Sequence, residues 1–287
     1  MATGEAAGKI GMTGPHVTGS RNELAPTTAD VVIIRKCETL GEMQACFGLQ
    51  KEVWKFADAD LIPVRMFVVA AKIGGHVVGA FINNSDKNNE EDELIGFALA
   101  IPGMRNGHPY LHSHMLAVRQ QYRNLGMGRR IKFYQREDAL ARGFELMEWT
   151  FDPLEIKNAY LNIGKLGAIA RRYYVNQYGI TSSPLQGGLP TDRLVAEWWL
   201  KSKRVEAVLA GVPCAVFESS VSIDVPAEVY EWKAAATTRA RALALQESNR
   251  DRFEWAFSEG LSVLGCECDE QGNGHFLLGE WDEGWRY

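Results

Sequence analysis

The chain has 287 residues, 46% of them hydrophobic, with 31 Lys and Arg against 36 Asp and Glu and a formal net charge of -5. That content suffices for a large buried core and argues against a disordered chain. The acidic balance argues against a nucleic-acid or anionic-membrane surface as the main partner, so any cationic patch has to be local. The five cysteines, Cys37, Cys46, Cys214, Cys266 and Cys268, are odd in number and scattered, which suits a reducing cytoplasm better than a disulfide framework. Cys266-Glu267-Cys268 lacks a second ligand cluster, so it reads as a buried or edge-strand thiol pair and no metal is expected. No window approaches the apolar length of a membrane span, and the N-terminus lacks the charged start and apolar run of a signal peptide. A soluble, cytoplasmic protein is expected.

Residues 1–30 are rich in Gly, Thr, Ala and Pro and read as a disordered tail. Val31 to Arg35 reads as a strand, Leu40 to Phe56 as a helix, and the apolar run Met66 to Ala71 as another strand. Gly75 to Ile82 and Glu93 to Ile101 form a hairpin around the polar stretch Asn83 to Asp92. The strand Tyr110 to Val118, the helix Gly126 to Arg142, the strand Leu146 to Phe151 and a helix from about Glu155 to Lys165 follow. From Arg171 to Glu218 the signals are mixed, with a loop at Gly187-Gly-Leu-Pro190 and a strand at Arg193 to Lys201. One long helix is expected over Ala227 to Gly260, then a hairpin of Leu261 to Cys268 and His275 to Trp281. The fold class is therefore α/β (α+β), a mixed, mostly antiparallel sheet flanked by helices. A core at 31–200 is followed by a helix-plus-hairpin extension at 201–287.

The most informative segment is Leu111-His-Ser-His-Met-Leu-Ala-Val118, which runs into Arg119-Gln-Gln-Tyr-Arg-Asn-Leu-Gly-Met-Gly128 at a helix start. A helix N-terminus leaves amides unpaired and carries partial positive charge, so a tight turn there can wrap a pyrophosphate without lysine. Gly126 and Gly128 allow close approach of the backbone, and Arg123, Arg129 and Arg130 add charge suited to phosphate oxygens. There is no G-x-x-x-x-G-K-[ST], and no G-x-G-x-x-G follows a strand, which disfavours P-loop and dinucleotide readings.

Arg123-Asn-Leu-Gly-Met-Gly128 after Ala117-Val118 resembles the acyl-CoA turn of the GNAT superfamily of N-acyltransferases. Trp149-Thr-Phe-Asp-Pro-Leu154, Asn158-Ala159, Asn162, Lys165-Leu-Gly167 and Pro190-Thr-Asp-Arg-Leu-Val-Ala-Glu-Trp198 extend the likeness to a little-characterised branch of predicted GNAT acyltransferases, over roughly Val31 to Trp281. The resemblance implies a GNAT fold and acetyl-CoA or another acyl-CoA as co-substrate. It also implies a cofactor site of Leu116, Val118, Arg123, Asn124, Leu125, Gly126, Met127, Gly128 and Arg129, with Asn158 and Asn162 either on the pantetheine or capping a neighbouring segment. In this family the strand before the turn splays from its neighbour, which a β-bulge or lost pairing produces.

Acyl transfer to an amine needs a neutral amine, donors for the developing oxyanion and a proton for the leaving thiolate. Backbone amides near Leu116 and Val118 are candidates for the oxyanion. His112 and His114 lie two apart on the expected strand, hence on one face, shared with Leu116 and Val118. An imidazole there could act as base, with His112 first and His114 second, or both could be plain strand residues. A zinc site would need a third ligand that is not at hand. The tyrosine general acid that many members place before Lys-Leu-Gly is replaced by Ile163, and Tyr160, Tyr173 and Tyr174 offer no clear substitute. Arg193 could fork onto an acceptor carboxylate, or be neutralised by Asp192 or Glu197. The expected partner is a small-molecule amine acceptor, with no nucleic acid and no membrane; a homo-oligomer is left open. A silent acyl-CoA-binding sensor or scaffold is the alternative to an enzyme.

Overall fold

The computed structural model describes residues 32–82, 92–212 and 217–285, so the expected N-terminal tail and most of the polar loop after Ile82 lie outside the described residues. Within them a sheet of ten strands runs in the order β1-β2-β3-β4-β5-β7-β6-β9-β10-β8. The N-terminal half is β1 (Val32–Lys36), β2 (His76–Ile82), β3 (Glu93–Arg105), β4 (His108–Val118) and β5 (Leu146–Phe151). Then come β6 (Ile169–Tyr174), β7 (Arg193–Trp199), β8 (Val221–Val225), β9 (Leu261–Cys268) and β10 (Gly274–Glu280). The β4–β5 pairing is parallel and the other pairings are antiparallel, so the sheet is mixed and mostly antiparallel as expected.

Helix α1 (Leu40–Trp54) starts at a capping box, Thr39 accepting from the Glu42 amide while Glu42 reaches back, and stops at Lys55 in the left-handed region. Helix α2 (Val64–Lys72) replaces the strand expected at Met66 to Ala71. The apolar run Met-Phe-Val-Val-Ala-Ala hides a helical pattern in which Phe67 and Ala70 are buried at i, i+3 while Met66, Val68 and Val69 face out. Pro63 sits at the cap position, where its missing N–H costs nothing. Both helices bury their inner faces against β2, β3 and β4 around Phe67, Phe81 and Phe97. On the opposite face lies α3 (Met127–Ala141), with Met127 and Ile131 against Val78, Ala80 and Ile95.

After β5 the chain forms α4 (Ile156–Ala159), which passes directly into a π-helical stretch, Tyr160–Lys165, rather than one regular α-helix. Helix α5 (Lys203–Leu209) is capped by Ser202. The single helix expected over Ala227 to Gly260 is two, α6 (Val229–Ala234) and α7 (Arg239–Ser258), broken where Ala235 turns extended at φ -106° and ψ 130°. The break packs Trp232 and Phe253 separately into the largest core cluster. Most of strand β6 and helix α5 fall in the stretch where sequence signals were mixed, and β8 follows just after it. The C-terminal hairpin continues the sheet, since β9 pairs β6 at Ala170↔Val263. Among the described residues no helix is long and apolar enough to cross a membrane.

Candidate active site

Strand β4 changes face part-way along. Leu99 pairs with Met115 and Ala100 with Ser113, so His114 is an extra, unpaired residue, a β-bulge. Before it, Ser113 points to α3, where the Lys132 ammonium group donates to its hydroxyl at 2.7 Å. After it, Leu116 and Val118 point the same way, Leu116 lying against Gly128 and Val118 beside Ile131 near Gly96. Residues 113 and 116 can share a face only because the bulge inverts the alternation. The expectation that His112 shares a face with Leu116 and Val118 is thereby corrected. His112 lies opposite them, on the α1–α2 face with its cross-strand partner Ile101.

The bulge also opens the sheet. Strand β5 pairs with β4 only at Leu111↔Met147 and His112↔Glu148, and beyond His112 the ladder is gone. Arg119 donates its amide to Ile95 on β3, so by strand alternation the amides of Leu116 and Val118 point away from β3 into the gap. These are preformed donors where β4 has lost its neighbour. Lys132 pins the bulge from beneath, its amine 3.6 Å from the centre of the Trp149 ring, and burial pushes it well below the usual lysine range.

At the end of β4 the chain makes a short 3-10 turn, Gln120–Tyr122, and enters α3 through Gly126. Gly126 has φ +73° and Asn124 φ +63°, left-handed conformations that suit glycine and asparagine. The Arg123 amide is consumed, donating to Gln120, and its guanidinium Nε donates to the Val118 carbonyl at 3.0 Å. From Asn124 to Arg129, by contrast, no amide has a backbone acceptor among the described residues, and the next bond is Arg130 to Gly126. Such a run of unclaimed donors at a helix start can receive an anion on the main chain.

Apart from Leu125, the run lines a cleft of about 1330 Å³ bounded by β4, α3, α4, the π-helical stretch, α5 and β9. Of the expected cofactor residues, Leu116, Val118, Arg123, Asn124, Gly126, Met127, Gly128, Arg129 and Asn158 line it. Leu125 is 55% exposed and is not on its wall, nor is Asn162, which is buried and donates to the Asn158 side chain at 3.3 Å. Asn162 thus steadies Asn158. Arg130 turns away from the turn to the Val32 carbonyl, whereas Arg129 leaves a buried Nε without a partner and stacks over Phe133. Val53 and Trp54 at the end of α1 also line the cleft, so it reaches through the splay towards the α1–α2 face.

On that face the register assembles a row that local sequence patterns did not reveal. His112 pairs with Glu148, and Glu148 pairs with Glu197 on β7. Both carboxylates are buried. Arg172 donates to Glu148 at 2.6 Å and to Glu197 at 3.0 Å, Arg171 to Glu197 at 2.8 Å, and Arg105 to Glu148 at 2.9 Å. A register shift in β6 between Ala170 and Tyr173 lets both adjacent arginines reach Glu197. The available signal was a lone charge inside an apolar strand, in Leu-Met-Glu-Trp-Thr-Phe and again in Arg-Leu-Val-Ala-Glu-Trp-Trp.

Burial lowers the pKa of His112, helped by His114 and opposed by Glu148, and burial lowers that of His114 as well. Both imidazoles are therefore neutral near pH 7 and able to accept a proton. Neither lies on the wall of the large cleft. Arg193 is not brought to them, since it binds the Asp192 carbonyl and Gln186. The Asp192 carboxylate is taken by Arg250 and the Tyr173 hydroxyl, and burial pushes that phenol far up. Ile163 does line the cleft, and supplies no proton.

No family model matches the sequence, and no curated protein matches it. Among solved structures, the chain is similar to a putative acetyltransferase of the GNAT family from Desulfovibrio desulfuricans, at 15% identity over 59% of this chain and 99% of the other, TM-score 0.46. It is also similar to an aminoglycoside 6'-acetyltransferase type Ii, at 18% identity over 60% and 99% of the two chains, TM-score 0.44. Arabidopsis thaliana NAA60 in complex with acetyl-CoA aligns at 11% identity over 58% and 99%, TM-score 0.48. Likeness at this level assigns no activity, which rests on the turn and the cleft.

Proposed function

We propose that the chain is a GNAT-type N-acyltransferase that moves an acetyl or larger acyl group, such as succinyl, from coenzyme A to the amine of a small molecule. The observation that carries this reading is the run of unclaimed amides from Asn124 to Arg129 in a cleft that opens where β4 and β5 part. The diphosphate lies on that run and on Arg123 and Arg129, the pantetheine passes Asn158 along the edge of β4, and the thioester reaches the gap beside Leu116 and Val118.

The acceptor enters from the α1–α2 face. His112 takes a proton from its ammonium group, directly or through water, and the amine lone pair attacks the thioester carbonyl carbon. A C–N bond forms, the oxyanion is held by the amides of Leu116 and Val118, and the C–S bond breaks. The adduct nitrogen sheds its remaining extra proton to water while the departing thiolate takes one from water, since Ile163 offers none, so that amide, thiol and the proton on His112 are the products. His114, the bulged residue, is the second candidate for the base.

The absence of a hydroxyl at Ile163 favours one other reading, a silent module that binds acyl-CoA without turnover. Calorimetry with coenzyme A and thiol release from acetyl-CoA and succinyl-CoA over a panel of amines separate the two. The enzyme binds and turns over; the module binds only. A chain that binds no coenzyme A sinks both.

A further inference from the structure

We propose that the acceptor carries a carboxylate close to its amine, and that Arg105 and Arg172 receive that carboxylate while His112 faces the amine. The inference rests on the acyltransferase reading and names the substrate class of the same site.

Its basis is the charge balance across the row. Glu148 and Glu197 are directly opposed on neighbouring strands and face one side, an arrangement that repels unless cations intervene. Arg105, Arg171 and Arg172 intervene, so three guanidiniums meet two carboxylates. Burial pushes the Glu197 carboxyl up, but Arg171 and Arg172 more than offset it, so the group stays ionised. With His112 neutral, the cluster holds one positive charge in excess, carried by partly exposed guanidiniums that can exchange water for an anion.

The excess is also visible as geometry. Arg105 commits only Nη1, and Arg172 commits Nε and Nη2. Nε and Nη2 of Arg105 and Nη1 of Arg172 hold no hydrogen bond among the described residues. The two side chains stay 18% and 29% exposed, so the free edges open outward. Planar guanidinium edges match carboxylate and phosphate alike, and of the two a carboxylate, with its single negative charge, balances the one positive charge in excess. Among the described residues Arg171 also leaves Nη1 unbonded, but it pairs only with Glu197, one strand further from His112, and its Nη2 is shared with the Trp285 carbonyl. Tyr110 and Trp199 give the row aromatic walls, the Tyr110 ring lying flat where Gly103 has no side chain. Strands lie about 4.8 Å apart, so a group on the arginines over Glu148 is one strand from His112. That spacing fits an amine and a carboxylate on one short molecule.

The test compares kcat/KM for a series of α-amino acids with their carboxamides, using acetyl-CoA and succinyl-CoA as donors. Binding of the same pairs to the CoA-loaded protein is followed in parallel by thermal shift. The best acid is expected to exceed its carboxamide by about tenfold or more. Arg105→Gln and Arg172→Gln should erase that preference through KM, and Arg105→Lys should restore part of it. Arg105→Gln keeps the test open if Arg172→Gln does not fold. Carboxamides used or bound as well as the acids overturn the inference. If coenzyme A binds and no amine is acylated, the acyltransferase reading fails by itself, and the thermal-shift preference for acid over carboxamide then decides the inference alone.

Discussion

The turn at 119–129 and the row through His112, Glu148 and Glu197 are built in opposite ways. In the turn the recognising groups are main-chain amides, fixed by two left-handed residues and a helix start, all contiguous in sequence. In the row they are side chains from β3, β4, β5, β6 and β7, joined only by register. Contiguous main-chain sites tolerate most side-chain changes and fail when a side chain fills them. Register-built sites fail when one charge is removed. The comparison therefore predicts different signatures of damage on the two sides of the splay.

The largest effect is expected at Gly128. A Cβ there meets only Leu116 at 3.6 Å and Leu161 at 3.9 Å, ordinary contacts, so Gly128→Glu should fold. Its carboxylate at the helix start should weaken coenzyme A binding by about a hundredfold, roughly 2.7 kcal/mol, in a calorimetric titration. An unchanged Kd in the folded variant would detach the turn from the diphosphate. Next comes His112→Ala, expected to lower kcat by about 10²–10⁴-fold while the Kd for coenzyme A stays put. Turnover that survives this change would move the base elsewhere, with His114→Ala as the next variant to assay.

A smaller, signed effect belongs to Glu148. Its charge raises the pKa of His112 against burial, so Glu148→Gln should lower that pKa further. Because the base works unprotonated, the acidic limb of kcat/KM against pH should shift to lower pH, by up to about one unit. A limb that stays in place would mean that His112 does not feel Glu148. The smallest effect on activity is expected at His76, which lies outside both regions and pairs with Asp138 on α3 at 2.7 Å. Burial first and Arg142 second lower its pKa to about 4 from the model-peptide value of 6.5. Between those values the unfolded chain binds the extra proton, so stability falls as pH drops through the window and is flat above it. The loss reaches about 1.4 kcal/mol per pH unit. His76→Gln should flatten that part of the stability curve in denaturant titrations and leave the pH profile of kcat/KM unmoved, separating acid loss of fold from acid loss of chemistry.

The same contrast explains how far the sequence could be read. The strand, turn and helix around Gly126 were legible because glycine, asparagine and helix periodicity act locally. The splay was expected, but its position at His114 was not, since a bulge is set by what β3 and α3 demand of β4. That single inserted residue moved His112 to the other face. Glu148, Arg105 and Arg172 escaped notice, and Glu197 was weighed only as a partner for Arg193, because strand order β5-β7-β6 is non-local and nothing near Glu148 in sequence announces Glu197 as its neighbour. Helix α2 was misread because its apolar residues run together, and the α6–α7 break because Ala235 carries no sign of it.

The central claim is that main-chain amides from Asn124 to Arg129 hold the diphosphate of coenzyme A. Amide proton and nitrogen shifts followed by NMR during a titration with coenzyme A address it directly. The account predicts that these amides move downfield together and saturate at the calorimetric Kd, while the Arg123 amide, already bonded to Gln120, moves far less. Coenzyme A that binds while residues 124 to 129 keep their shifts would contradict it.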